Sequence, residues 1–82
     1  MTTEQTNKQR LAILDEAFEQ NDLAVIQLVG EDGNAFAILA EAQAALRIAG
    51  WSHVQIEAFM EEAMSGDYDH LLQTCLGYLE VE

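Results

Sequence analysis

This sequence predicts a mostly α-helical α+β fold, with about four short helices and one short strand. Three observations carry that prediction. Several stretches place apolar residues three and four apart, between capping residues and glycines. One stretch alone, Leu23–Val29, is short, rich in β-branched residues and bounded by turn signals. Half of the 82 residues are hydrophobic, enough for one core without disulfide or metal. The chain is expected to form a single domain, 1–82, since two halves would each be too small to bury a core.

Residues 1–5 are polar and expected to fray. Thr6 with Gln9 fits a capping box, and a helix over 7–19 follows. Leu11, Leu14, Ala17 and Phe18, with Ile13 at the edge, face one way; Asp15, Glu16 and Glu19 face the other. Gln20-Asn21-Asp22 reads as a loop. The strand 23–29 then needs a mate, because a lone strand leaves its backbone donors and acceptors unpaired. Two mates are open: the alternating C-terminal segment Leu79-Glu80-Val81-Glu82, or the same strand in a second copy, giving a two-fold homodimer.

Gly30-Glu31-Asp32-Gly33-Asn34 forms the turn into a central helix, 35–49, with Asn34 as its cap and Gly50 as its stop. Ala35, Ile38, Leu39, Ala42, Leu46 and Ala49 share a broad apolar face, with Phe36 at its margin. Ala37, Ala40, Glu41, Ala44 and Arg47 lie opposite, so this helix is small-sided nearly all round and suits the centre of the fold. The preceding turn shows neither the dinucleotide nor the Walker glycine spacing, and its two acids would oppose a phosphate.

Gly50 as the left-handed stop makes Trp51 the next residue out, whose usual apolar contact is Leu46. Ser52 then caps the following helix, 53–64, and Gln55 completes the capping box, which places Trp51 to staple onto Ile56. Ile56, Phe59, Met60, Ala63 and Met64 form that helix's inner face; Gln55, Glu57, Glu61 and Glu62 form its outer one. Asp67 is expected to cap a last helix, 68–79. There Tyr68, Leu71, Leu72, Cys75, Leu76 and Leu79 face inward, and Asp69, His70, Gln73, Thr74 and Gly77 outward. Gly77 is a weak point at which the helix could end and release a strand.

Charge is the most unusual bulk property. Fifteen acids against three bases give a formal net charge of −12. All three bases, Lys8, Arg10 and Arg47, precede Ala49. After it come Glu57, Glu61, Glu62, Asp67, Asp69, Glu80 and Glu82 with no Lys or Arg. Such a surface repels phosphate, so direct nucleic-acid binding is disfavoured and attraction to a basic protein surface is favoured; the plain alternative is that the acids serve solubility alone. Glu57, Glu61, Glu62, Asp67 and Asp69 are the candidate acidic face. No apolar run approaches the roughly 20 residues of a membrane span, the N-terminal residues lack the regions of a signal peptide, and the lone Cys75 makes no internal disulfide. A cytoplasmic location is expected.

Chemistry has two candidate places. Asp67, Asp69 and His70 supply oxygen and nitrogen ligand types close together, but Asp67 and Asp69 diverge on a helix and Asp67 is needed as a cap. Cys75 and His70 would make a nucleophile and base, yet five residues apart they point about 140° from each other around the helix. No cofactor is expected and no enzyme.

The segments G-E-D-G-N-A-F-A-I-L, A-L-R-I-A-G and S-G-D-Y-D-H-L-L-Q-T-C resemble a group of short, functionally uncharacterised proteins from bacteria, phages and other mobile elements. The resemblance spans about Val25 to Val81, and D-Y-D-H-L-L is its most specific part. Residues 1–22 lie outside it, which marks the first helix as a candidate appended element. It carries no assigned activity and so transfers no catalytic residue. It implies a phage or mobile-element accessory protein. Joined to the charge, this gives the expected function: a non-catalytic interaction module, in its sharpest form an anti-CRISPR or anti-restriction inhibitor occupying the nucleic-acid-binding surface of a host nuclease complex. A small metal-binding or catalytic protein using Asp67, Asp69 and His70 is the alternative, and a structural homodimer without inhibitory role a third.

Overall fold

The first helix, α1 (Thr3–Gln20), is longer than its capping signal implies. In the computed structural model, which describes residues 3–27 and 35–81, Thr6 lies inside the helix and so does not cap it. Residues 3–5, expected to fray, are helical too. Leu14 and Ala17, three apart, are completely buried, whereas Leu11 and Phe18 at the edges of that stripe stay about half exposed. Helix α1, a candidate appended element from the sequence, is built into the core.

Asn21 ends α1 and β1 (Ala24–Ile26) follows. Its mate is the C-terminal strand β2 (Leu79–Val81), so the pairing is within the chain. The two run parallel in the register Ala24↔Leu79, Val25↔Glu80 and Ile26↔Val81. A parallel pair needs a long crossover. Three helices supply it: α2 (Ala35–Ala49), α3 (His53–Ala63) and α4 (Tyr68–Tyr78). The alternation along both strands turns Ala24, Ile26 and Leu79 into the core and leaves Val25 and Glu80 outside. Leu28 and Val29, the expected end of the strand, lie outside the described residues, as do Asn34 and the rest of its turn.

On α2, Ile38, Leu39, Ala42 and Leu46 are buried, at the helical spacing of one face. Phe36 is not at the margin of that face but 82% exposed. The helix ends in a Schellman turn. Gly50 takes φ 104°, its N–H donates to the Arg47 carbonyl at 3.2 Å, and the Trp51 N–H donates to the Leu46 carbonyl at 3.0 Å. One residue on, the Gln55 N–H donates to Ser52 Oγ at 3.2 Å and the Ser52 N–H donates to Gln55 Oε1 at 2.9 Å, a reciprocal capping box. Trp51, buried at this corner, meets Phe59 edge to face at 6.3 Å between ring centres. Phe59 repeats that contact with Tyr78 at 6.4 Å, and Tyr78 with Phe18 at 6.2 Å, so an aromatic row links α3 and α4 to α1.

Helix α4 does not stop at Gly77. It runs through it to Tyr78 and passes directly into β2. Thr74, expected outward, is buried; its Oγ1 donates to the His70 carbonyl at 2.8 Å, which satisfies the hydroxyl without solvent. Leu76, expected inward, is 63% exposed, and Met64 at the end of α3 is also turned out. The core of described residues is one cluster drawn from all four helices and both strands, with Phe59, Leu14, Leu46 and Cys75 its largest fully buried side chains.

Candidate interaction face

The acidic candidates of α3 separate into two environments. Glu57 and Glu61, four apart, share the outer side and are exposed. His53 stands over Glu57, Nε2 to Oε2 at 3.7 Å, a loose contact between exposed groups. With Gln9, Arg10 and Ile13 of α1, and with Val54 and Ala58 of α3, the two carboxylates line a shallow groove of about 300 Å³. Val54 is 60% exposed there. The groove thus offers two carboxylates beside an apolar contact, which suits the charged head and aliphatic stem of a Lys or Arg side chain.

Glu62 does not belong to that face. Its carboxylate is turned inward and its side chain is only 16% exposed. Oε1 accepts from Arg10 Nε at 3.0 Å, and Oε2 lies 3.0 Å from His70 Nε2. The Glu62 carbonyl lies 2.9 Å from the same nitrogen and accepts from Ser65 Oγ at 2.7 Å. Both Glu62 oxygens beside Nε2 are acceptors, so that nitrogen carries the hydrogen. The physical reason for this arrangement is the end of α3. Its last turn contains acids and no base, against the helix dipole, and its final carbonyls need donors. Arg10 from α1 and His70 from α4 bring both.

Asp67 and Asp69 are exposed on the first turn of α4, where a carboxylate is favoured by the dipole. Asp67 caps the helix, Oδ1 accepting from the His70 N–H at 2.9 Å. His70, expected outward, folds back onto α3 instead. The three candidate metal ligands therefore do not converge: Asp67 caps, Asp69 faces solvent and the imidazole is turned to Glu62. Among the described residues no three His, Cys, Asp or Glu side chains are grouped to hold a metal ion.

Ser65, His70 and Glu62 have the composition of a nucleophile, a base and an acid. Their geometry is different: Ser65 Oγ, at 3.1 Å, and the Glu62 carboxylate both approach Nε2. A relay needs the acid on one ring nitrogen and the nucleophile on the other. Cys75 is completely buried, and burial pushes its thiol above the ordinary value of 9.0, opposite to an activated thiolate. Tyr78 is likewise raised, first by burial and then by Asp15, whose carboxylate accepts its hydroxyl at 3.4 Å.

Sequence reasoning took Ser65-Gly66 as the end of α3 and Arg10 as one of three bases, but missed the side-chain bonds of Arg10, Ser65 and Asn21. Asn21 looked like a loop residue, yet its Nδ2 donates to the Ala17 carbonyl at 3.0 Å and to Gln55 Oε1 at 3.1 Å, tying α1 to the Trp51 corner. The bond to Ala17 is the short-range kind an asparagine makes beside a helix end, but the bond to Gln55, 34 residues away, had no local signal.

No protein-family model matches this chain, and no curated protein or solved structure is significantly similar to it. Among the described residues no helix is long and apolar enough to cross a membrane.

Proposed function

We propose that this protein is a non-catalytic interaction module that docks its acidic exterior on a basic protein surface, and that the partner is a nucleic-acid-binding nuclease complex of the host. In this reading it is a phage or mobile-element inhibitor of anti-CRISPR or anti-restriction type. The observation that carries the reading is the exposed pair Glu57 and Glu61 beside Val54, on a chain of net charge −12. Carboxylates held at helical spacing on a rigid element keep their separation, so a row of basic side chains that normally follows phosphates can meet them at little conformational cost. The rest of the molecule repels nucleic acid and leaves such a partner no duplex to hold alongside it.

The experiment is capture of host proteins on tagged wild type and on tagged Glu57→Lys/Glu61→Lys, with Glu62 left intact because it belongs to the fold. The reading expects a nucleic-acid-binding protein retained by wild type alone, released as salt rises and displaced by added DNA or RNA. Equal retention on both proteins, or no displacement by nucleic acid, overturns it.

A further inference from the structure

The corner that Trp51 closes also has an outer side. Between α2 and α3 it holds a concavity of about 290 Å³, near the lower end of small-ligand sites. Its floor is apolar: Trp51 and Ile56 reach it from the core, and Met60 from the next turn of α3. Its rim carries charges of both signs, Arg47 in the last turn of α2 and Glu57 on α3, both exposed. Arg47 makes no ion pair among the described residues. Glu57 is approached by His53, but at 3.7 Å that contact is too long for a hydrogen bond and leaves the carboxylate its acceptor capacity. The helix dipole accounts for a base in the last turn of α2. It does not account for an apolar floor beneath that base, or for an acid on the adjoining helix.

We infer that this concavity binds a small zwitterion of amino-acid size, with its carboxylate on Arg47, its ammonium on Glu57 and an apolar side chain over Trp51, Ile56 and Met60. Charge selects that class. On a chain of net charge −12 a plain anion is repelled on approach, and Glu57 repels it again at the rim. A plain cation is drawn to acids all over the surface, and here it meets Arg47. A ligand with one charge of each sign is neutral to the long-range field and finds an opposite charge for each at the rim. The guanidinium suits the carboxylate because its planar fork can hold both oxygens. The floor selects the rest. Three side chains offer carbon surface and no charge, so a zwitterion with a polar side chain would leave that burial unused. Size sets the bound, since a volume of about 290 Å³ takes a single residue and not a folded element. The inference goes beyond docking on a basic partner and does not rest on it. Glu57 lines both concavities, whereas Arg47 lines this one and Glu61 the α1–α3 groove.

The test is titration of the purified full-length protein with L-phenylalanine, followed by amide and side-chain NMR shifts. Two truncated probes are run beside it: phenylpropionate, which lacks the ammonium, and phenethylamine, which lacks the carboxylate. The expected result is saturable shifts centred on Arg47, the Trp51 indole N–H and the Met60 methyl, with a dissociation constant of about 1 mM or tighter. Each truncated probe should bind at least about threefold more weakly, the size of one exposed ion pair. Arg47→Gln should remove the advantage of L-phenylalanine over phenethylamine, and Glu57→Gln its advantage over phenylpropionate. Glu61→Gln, which removes the same charge from outside the concavity, should change neither. All three positions are exposed, so the substitutions read the contact and not the fold. No saturable shift with L-phenylalanine overturns the inference. So do shifts centred away from this corner, truncated probes that bind as tightly as the zwitterion, or advantages that survive Arg47→Gln and Glu57→Gln.

Discussion

The two helix–helix corners of this protein solve one problem with different chemistry. At each, a helix ends with carbonyls unsatisfied and another begins with amides unsatisfied. The α2–α3 corner uses neutral groups close in sequence: the Schellman bonds at Gly50 and Trp51, and the Ser52–Gln55 box. The α3–α4 corner uses a neutral hydroxyl, Ser65, with charged and titratable groups brought from afar, since Arg10 stands 52 residues from Glu62. Each corner also spends a glycine, for different reasons. Gly50 is there for its positive φ; Gly66 is there for space, because a Cβ on it would come within 2.8 Å of His70 Cβ. The lesson is that local corners are insulated from ionic conditions, and assembled ones are not.

The largest effect should come from the first corner. Trp51→Ala removes a buried indole and its edge contact with Phe59, and should lower stability by about 3 kcal/mol in urea unfolding, to the same extent at low and high salt. At the second corner, Glu62→Gln leaves Arg10 and His70 without their carboxylate and should cost about 2 kcal/mol. That cost should shrink as salt rises, though less than for an exposed pair because the groups are largely buried. If its neighbour Glu61→Gln cost as much, the separation of the two carboxylates would be wrong. Gly50→Ala forces an L residue to φ 104° and should cost about 1 kcal/mol, again without salt dependence. The smallest change is a gain. Gly77 is helical and nothing lies within 4 Å of a Cβ placed there, so Gly77→Ala should add about 0.5 to 1 kcal/mol. A melting curve that falls instead would show that the α4–β2 junction needs the glycine.

What could be read beforehand follows the same divide. The Gly50–Trp51–Ser52–Gln55 corner was legible because its Schellman and capping-box bonds each span five residues or fewer, and the helices because apolar spacing repeats; the bond from Asn21 to Gln55, 34 residues away, was not legible. The strand was legible as a strand, and its mate was narrowed to two, one of which the structure shows. Glu62 was not legible. It carries the same side chain as Glu61, one position and about 100° away around the helix, and only tertiary placement of α1 and α4 assigns it to the interior. Thr74 and Leu76 were assigned the wrong way round because helical spacing gives an angle but not the position of the neighbouring element. The candidate face inherits this limit: Glu57, Glu61, Asp67 and Asp69 are exposed as the spacing implied, and the acid that is not could be found only in three dimensions.

One measurement bears most directly on the functional account: the affinity of the captured partner for wild type and for Glu57→Lys/Glu61→Lys, with the unfolding midpoint of both proteins in hand. The account predicts binding weaker by about tenfold or more at an unchanged midpoint, because exposed carboxylates contribute little to folding and their reversal repels a basic surface. Equal affinity of the two proteins would contradict it.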